Sequence, residues 1–224
     1  MEKKLRPVKS YVLRAGRMSP AQQKAYDEYF HRYSVDFRNT LLTADELLQG
    51  RDDVIVEIGF GMGDATYQIA MEHPEKEYIG IEVHKPGVGK LLYQIVENSI
   101  DNLRVIEHDA VEVLDRMIPE NSISGFHIFF PDPWPKKKHH KRRILQPEFV
   151  AKLKDRLKPG GYIYAVTDWE NYAEQMLEVL SAEEGLKNRY RDYADPQSWR
   201  PGTKFERKGK EKSHKIYELL FDKK

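Results

Sequence analysis

The chain has no cysteine among its 224 residues, which excludes disulfide bonds, thiol nucleophiles and cysteine-ligated zinc sites. Long apolar runs are missing too, and the first residues contain no apolar signal-peptide core. No membrane partner is therefore expected, and a cytoplasmic location is the default expectation. The net charge of only +1 gives no overall attraction to a polyanion. Recognition of a charged partner would depend on how the charges are distributed.

Positive charge is present, but it is segregated along the chain. Basic residues concentrate in three segments, residues 1–17, 136–143 and 204–215. Such local patches are typical of nucleic-acid contact even where the total charge is near zero. The length, with 40% hydrophobic and 33% charged residues, indicates one globular domain with a full core. We expect residues 1–18 to form a basic N-terminal arm that moves until it meets a polyanion, and residues 19–224 to form a single domain.

The most informative stretch is residues 126–143, which read FHIFFPDPWPKKKHHKRR. Its apolar start is short enough only for a buried strand, and three prolines within five residues end that strand and stiffen the loop after it. Ligands of open α/β sheets bind beyond the carboxyl ends of the strands, so Asp132 and Trp134 are expected beside a ligand. The eight residues 136–143 are all Lys, Arg or His. An unmixed positive block favours binding of a phosphate backbone over a merely solvated surface.

A glycine-rich turn comes after a short strand predicted at residues 54–58. It reads EIGFGMG, with Glu57 ahead of glycines at positions 59, 61 and 63 that let the backbone approach a ligand closely. A dinucleotide-binding turn would need its third glycine at the position of Asp64. The pattern therefore indicates a different nucleotide-like ligand.

Acidic residues end the other predicted strands. Glu82 comes directly after the strand at residues 78–81, at the distance from the glycine turn where a carboxylate grips the hydroxyls of a ribose. Asp109 comes after the strand at residues 103–106. Asp168 ends a strand at residues 162–167, where it either contacts substrate or caps the next helix.

The remaining patterns predict helices over residues 19–34, from Pro86 onward and over 147–157, the last capped by residues 159–161. Two closing strands are predicted at residues 189–193 and 214–221. Alternating strands and helices indicate an α/β fold.

The 131–143 segment resembles the signature of the bacterial tRNA (guanine-N7-)-methyltransferases, which carry a near-identical PDPWPKK(K/R)HHKRR run. The Glu-x-Gly-x-Gly-x-Gly turn looks like motif I of methyltransferases that use S-adenosylmethionine (SAM), and residues 203–206 match a C-terminal T-K/R-F/Y-E segment of the family. The resemblance runs from about residue 20 to the end. It implies a Rossmann-like sheet of seven mostly parallel strands with helices on both faces and the last strand antiparallel. It also implies SAM as the methyl donor and N7 of a tRNA guanine, variable-loop guanine 46, as the acceptor.

The resemblance also implies roles for individual residues. The cofactor-binding residues are Glu57, Gly59, Gly61, Gly63, Glu82, Asp109 and Asp132. The substrate-binding residues are Lys136, Asp168, Thr203, Lys204, Phe205 and Glu206. The RNA-binding residues are Lys138, His139, His140, Lys141, Arg142 and Arg143. Asp132 is also the expected catalytic group. Guanine N7 has no proton to remove, so a carboxylate would act by orienting the base and stabilising the positive charge that develops on it.

Two alternatives remain open. A SAM-dependent enzyme could act on another RNA base, although the amino-group enzymes carry an Asp/Asn-Pro-Pro-aromatic motif whose order differs from that at residues 132–135. A non-catalytic RNA-binding module would need the basic block but not the acids at three strand ends. No metal is expected, because the adjacent His139 and His140 lie within a cationic block and would be poor ligands. Trp134 is either a packing surface for the base or a structural residue, and monomer and homodimer are both open.

Overall fold

The computed structural model describes residues 9–11, 16–202 and 215–224. Its strands are β1 (Asp53–Ile58), β2 (Lys76–Ile81), β3 (Leu103–Ile106), β4 (Ile123–Phe129), β5 (Leu157–Thr167), β6 (Leu186–Asn188) and β7 (Tyr217–Lys223). Its helices are α1 (Pro20–Tyr33), α2 (Ala44–Leu48), α3 (Asp64–Glu72), α4 (Lys85–Glu97), α5 (Ala110–Arg116), α6 (Pro147–Arg156) and α7 (Glu170–Ala182), with a 3-10 helix at Lys137–Arg142.

Within these ranges the strands form one seven-stranded sheet in the order β3-β2-β1-β4-β5-β7-β6. Strands β1 to β5 pair in parallel, and β7 is antiparallel to both of its neighbours. The carboxyl ends of five parallel strands therefore meet at one edge. This architecture confirms the predicted α/β class and the antiparallel final strand.

Both faces of the sheet are covered because the central strands are apolar on both sides. In β1, Val54 and Val56 pack with α5, α6 and α7, whereas Ile55 packs with α1, α3 and α4. Successive strand residues point to opposite faces, so one short strand contributes to both layers of the core. The start of α1 is fixed locally, since Ser19 and Gln22 form the reciprocal hydrogen bonds of a capping box.

Two predicted elements are wrong in position. The strand predicted at 189–193 lies at Leu186–Asn188, because the Asn188 side chain accepts from the Tyr190 amide at 3.0 Å and donates to the Asp192 carbonyl at 2.8 Å, which folds the following residues into a turn. Residues 159–161 do not cap α6. Leu157 already pairs with Ile123 in the sheet, and the prolyl-glycyl segment forms an irregularity inside β5.

None of the helices within the described ranges combines the length and apolarity that a membrane span requires.

Candidate active site

Five acids predicted from the sequence line one cleft at the carboxyl edge of the sheet. They are Glu57, Glu82, Asp109, Asp132 and Asp168. The cleft measures about 690 Å³, within the ordinary range for a small-molecule site. Each acid lies at or just beyond the end of a different parallel strand, β1 to β5. The parallel topology therefore concentrates negative charge in one concave site, where it would favour a cationic ligand.

The glycine turn between β1 and α3 forms the floor of the cleft. Gly59 and Gly61 have φ angles of 73° and 59°, a left-handed conformation that strains other residues. A Cβ atom built at either glycine would meet no protein atom within 4 Å. The space beside this backbone is open, so a ligand can approach it to van der Waals contact. Gly63, at the N-cap of α3, instead packs against Leu91, where a Cβ would lie 2.8 Å from a methyl carbon.

Glu82 holds the turns that surround it. One carboxylate oxygen accepts from the Gly61 amide at 2.8 Å, and the other accepts from the Val83 and His84 amides at 2.7 and 2.9 Å. Its side chain lines the cleft while the residue is only 9% exposed. The predicted contact with a ribose stays a prediction, but the structure adds a second role. Loss of this carboxylate would also release the glycine turn.

Glu57 is the most deeply buried acid of the cleft, with 4% of its surface exposed. Burial raises the pKa of its carboxyl to about 8, the Thr66 hydroxyl opposes that rise, and the negative charge of Glu82 adds to it. The carboxyl is therefore largely protonated at neutral pH in the free protein. A cation placed beside it would favour the ionised form.

Asp109 caps α5, because its side chain accepts from the Val111 amide at 3.0 Å. Its other carboxylate oxygen lies 3.6 Å from the Lys9 ammonium, a contact from the N-terminal segment that the sequence pattern does not reveal. Ser10 and Tyr11 also line the cleft. The N-terminal segment thus contributes to a site whose other lining residues come from the carboxyl edge of the sheet and from helices, among them Gln22 and Lys90.

Asp132 lies in a strained loop directly after β4. The flanking Phe130 and Trp134 have φ angles of 50° and 44°, a conformation that bulky side chains adopt only when their surroundings hold them. Asp132 is exposed in the cleft and makes no hydrogen bond or ion pair with any residue in the described ranges. Within those ranges it therefore caps no backbone amide of the proline-rich turn, and the carboxylate is available to a ligand.

Trp134 is held between the N-terminal segment and the basic block. Its indole nitrogen donates to the Ser10 carbonyl at 3.0 Å, and the Arg142 guanidinium lies 3.7 Å from the ring centroid. Arg142 itself donates to the Lys9 and Tyr11 carbonyls at 3.0 and 2.9 Å. The Trp134 ring is absent from the cleft lining, and these contacts favour the structural interpretation over base packing.

The basic block divides into exposed and buried residues. Lys138 and Lys141 are exposed, and His139 and His140 are half-buried, on the 3-10 helix that begins after Lys136. The Gln146 side-chain Nε2 donates to the His140 carbonyl at 2.9 Å, and this hydrogen bond attaches the 3-10 helix to the rest of the domain. Lys136 is exposed as well, but it does not line the cleft.

Arg143 requires a correction. It is 2% exposed, and every nitrogen of its guanidinium donates to a protein oxygen. A residue enclosed in this way cannot contact a phosphate of a bound RNA. The structure therefore contradicts the assignment of Arg143 to the RNA-binding surface.

The predicted substrate residues fall into two groups. Asp168 is half-buried and lines the cleft, and the N-cap position of α7 belongs to Trp169 instead. Thr203, Lys204, Phe205 and Glu206 lie outside the described residues. The chain that flanks them in sequence is fixed by a buried salt bridge, in which Arg200 lies 2.8 Å from Glu218.

The donor set of the cleft fits SAM. The ligand carries a sulfonium and an ammonium, and the cleft offers carboxylates with an open glycine turn. On this fit Glu57 would face the ammonium, Glu82 the ribose and Asp109 the adenine amino group. Across the described part of the chain, no group of three or more His, Asp or Glu is placed to hold a metal ion.

Comparisons with known proteins agree with this site. A family model described as "Putative methyltransferase" matches residues 51–219. Among solved structures, the 16S rRNA methyltransferase KamB matches with a TM-score of 0.60 and 17% identity over 80% of this chain and 91% of its own. The aminoglycoside resistance methyltransferase NpmB1 matches with a TM-score of 0.56 and 17% identity over 82% and 94%. At this identity the two likenesses show the fold alone.

Curated relatives are much closer in sequence. A tRNA (guanine-N(7)-)-methyltransferase of Burkholderia thailandensis is 52% identical over 98% of this chain and 83% of its own length. Relatives of the same name from Neisseria meningitidis and Nitrosospira multiformis are 50% and 48% identical. Their matches cover 96% and 98% of this chain, and 91% and 96% of their own lengths.

The chain is a SAM-dependent methyltransferase of the α/β class. This conclusion combines the sheet order, the acid-lined cleft and the matches to methyltransferases. Identity near 50% over almost the whole chain narrows the class to one family. The chain belongs to the bacterial tRNA (guanine-N(7)-)-methyltransferase family.

Proposed function

We propose that the protein transfers the methyl group of SAM to N7 of a guanine in tRNA, and that the guanine is number 46 in the variable loop. The observation that carries this proposal is the placement of Asp132. Its carboxylate has no partner in the described ranges, lines the cofactor cleft and precedes the exposed basic 3-10 helix. A base that enters the cleft beside Asp132 would belong to an RNA whose backbone runs along the basic surface.

SAM, when bound, would supply an electrophilic methyl group on its sulfonium. The N7 lone pair would form a bond to the methyl carbon as the bond from that carbon to sulfur breaks, and S-adenosylhomocysteine would leave. No proton leaves N7, so the chain needs no general base. Asp132 instead orients the guanine and stabilises the positive charge that reaches the purine. The glycine turn would hold the cofactor, and Asp168 lines the same cleft. Catalysis then rests on alignment and on placement of charge.

The guanine must leave the body of the RNA before it reaches Asp132. A-form helices hide N7 in a deep and narrow groove that side chains do not enter. A loop-borne or extruded nucleotide avoids this obstacle. Lys138 and Lys141 are exposed on the 3-10 helix and would hold the backbone on either side of that nucleotide. This contact would be electrostatic and independent of sequence, so the choice of guanine would depend on the cleft and on tRNA shape.

Direct product analysis tests the proposal. An unmodified tRNA transcript is incubated with the protein and methyl-labelled SAM, and its nucleosides are separated by reverse-phase chromatography. We expect label in 7-methylguanosine, and loss of label when guanine 46 is replaced in the transcript. Label in an amino-methylated nucleoside would favour the enzyme for another base. Binding of tRNA without any SAM binding in a calorimeter would favour the non-catalytic module.

The arrangement of the chain belongs to the same proposal. We treat residues 1–18 as an arm on a single domain of residues 19–224, because residues 9–11 contact that domain at Trp134 and Arg142. The cytoplasmic location stays a prediction.

A further inference from the structure

Arg143 connects the loop that carries Asp132 to helix α7 from inside the protein. Its Nε donates to the Pro133 carbonyl at 2.8 Å, immediately after Asp132 in the chain. Its other two nitrogens donate to side-chain oxygens of α7, Gln175 at 2.6 Å and Asn171 at 2.9 Å. The guanidinium also lies 4.6 Å from the centroid of the Tyr172 ring. One rigid fork therefore joins the Asp132 loop to the first turns of α7.

The loop that Arg143 holds does not have a relaxed backbone. Left-handed φ angles at Phe130 and Trp134 are strained for these side chains and persist only where neighbouring residues hold them. Phe130 is fixed by a hydrogen bond from its amide to the Val166 carbonyl at 2.8 Å. Trp134 is fixed by Ser10 and Arg142. Between these two anchors, the Arg143 contact at Pro133 is the one adjacent to the Asp132 carboxylate.

The arrangement also relates Asp132 to Asp168. The helix that Arg143 grips begins two residues after Asp168, and both acids line the cleft. Asp132 makes no bond of its own in the described ranges, so its position is set by its backbone. A change in the contacts of Arg143 would therefore move Asp132 relative to Asp168.

We propose that Arg143 is a positioning residue. By linking the Pro133 carbonyl to α7, it holds the Asp132 carboxylate in the position from which it acts on the substrate. This proposal rests on the proposed function. Lysine cannot replace it, because an ammonium is a point donor and the three contacts require a planar fork. Displacement of a catalytic group by about 1 Å can cost on the order of 10²-fold in rate. Because Arg143 is buried and each of its guanidinium nitrogens donates to a protein oxygen, its replacement should leave tRNA affinity unchanged.

The first test is Arg143→Lys, assayed in single turnover at saturating tRNA and SAM. We expect kcat to fall about 10- to 100-fold, while the Kd values for SAM and tRNA and the salt dependence of tRNA binding stay at wild-type values. Arg104→Lys is the matched control, since Arg104 also forks between a carboxylate and a carbonyl, Glu77 at 2.7 Å and Leu47 at 3.1 Å, on strand β3. It should lower Tm without lowering kcat. Wild-type kcat in folded Arg143→Lys would overturn the proposal.

A double-mutant cycle separates positioning from general destabilisation. If Arg143 acts through Asp132, then Arg143→Lys should cost little further kcat in an Asp132→Asn background. Full additivity of the two losses would reject that route. Asn171→Ala with Gln175→Ala offers a second approach from exposed and half-buried positions of α7, and it should reduce kcat several-fold with unchanged ligand affinities. Wild-type turnover in that pair would contradict the proposal as firmly.

One readout does not depend on tRNA methylation. Amide hydrogen exchange at Phe130, Asp132 and Trp134, the three residues of this loop that carry an amide hydrogen, should become faster in Arg143→Lys and stay unchanged in Arg104→Lys. If the wild-type protein made no 7-methylguanosine, the proposed function would fail while the exchange result still decided whether Arg143 holds the loop. Unchanged exchange in Arg143→Lys, beside an active wild-type enzyme, would reject the positioning role alone.

Discussion

The affinity for SAM should depend on pH through Glu57. In the free protein burial raises the pKa of this carboxyl to about 8, so the neutral form dominates at pH 6 and 7. The bound cofactor would place an ammonium beside it, and the ionised carboxylate is the form that attracts a cation. Binding below pH 8 must therefore release a proton from Glu57, and the affinity should rise as the pH rises.

The magnitude is set by that pKa. About 1% of Glu57 is ionised two pH units below this pKa, and about 10% is ionised one pH unit below it. Each pH unit of difference corresponds to about 1.4 kcal/mol of binding free energy. The affinity should then increase nearly tenfold between about pH 6 and 7. Above about pH 8 the α-amino group of the ligand loses its own proton, so the affinity should fall again. The curve should be a bell with its maximum near pH 8.

Isothermal titration with SAM from about pH 6 to 9, in buffers of different ionisation enthalpy, measures both affinity and proton release. Glu57→Gln keeps the size and cannot ionise, so its affinity should not rise between pH 6 and 7 and should be weaker than wild type near pH 8. A wild-type affinity that is flat between pH 6 and 7, or a Gln variant with the same rise, would refute the reasoning.

The same carboxyl makes a stability prediction of definite sign. Its folded pKa lies above the ordinary value of 4.5, so the contribution to stability is complete below that value and is lost as the pH rises through about 8. The Tm of the free protein should decline over this window relative to Glu57→Gln.

Three further predictions concern binding and catalysis. Asp132→Asn should lower kcat and kcat/KM for tRNA about 10²-fold or more, with little change in the KM for SAM or in Tm. Single-turnover rates near those of the wild type would show that Asp132 is not catalytic. The triple variant with Lys137, Lys138 and Lys141 changed to Ala should bind tRNA more weakly at constant SAM affinity. The slope of log K for tRNA against log salt concentration should become shallower by about 0.7 to 0.9 for each phosphate that is no longer neutralised. An unaltered slope would show that the basic block is only a solvated surface. Glu82→Ala should weaken SAM binding by about 1.5 to 3 kcal/mol, and unchanged calorimetric affinity in a folded variant would remove Glu82 from the site.

Local pattern was sufficient for most of the fold. The strand predicted at residues 103–106 is observed with the same bounds, and the helix predicted over residues 19–34 is observed at Pro20–Tyr33. These elements depend on neighbours in sequence, through apolar periodicity and side-chain capping. The prediction of a strand at residues 189–193 was wrong because that strand depends on residues distant in sequence. Its register is set by β7, more than thirty residues along the chain, and the competing turn at Asn188 decides where it stops.

The candidate cleft could be predicted because parallel strands share an edge. Once Glu57, Glu82 and Asp132 are placed at strand ends, topology alone brings them together. Their protonation and partners could not be predicted in this way. The pKa of Glu57 depends on burial by residues from several elements, and the three amides that hold Glu82 come from two different turns.

The basic block shows where sequence information ends. By itself the sequence determined the fold class, the acids of the cleft and the existence of a cationic surface, since these depend on local composition and on strand order. Only the tertiary structure showed that Arg142 is half-buried while its neighbour Arg143 is fully enclosed. The Arg143 guanidinium can be buried because three residues supply the oxygens that an enclosed charge requires. They are Pro133, Asn171 and Gln175, which lie 10, 28 and 32 residues away in sequence.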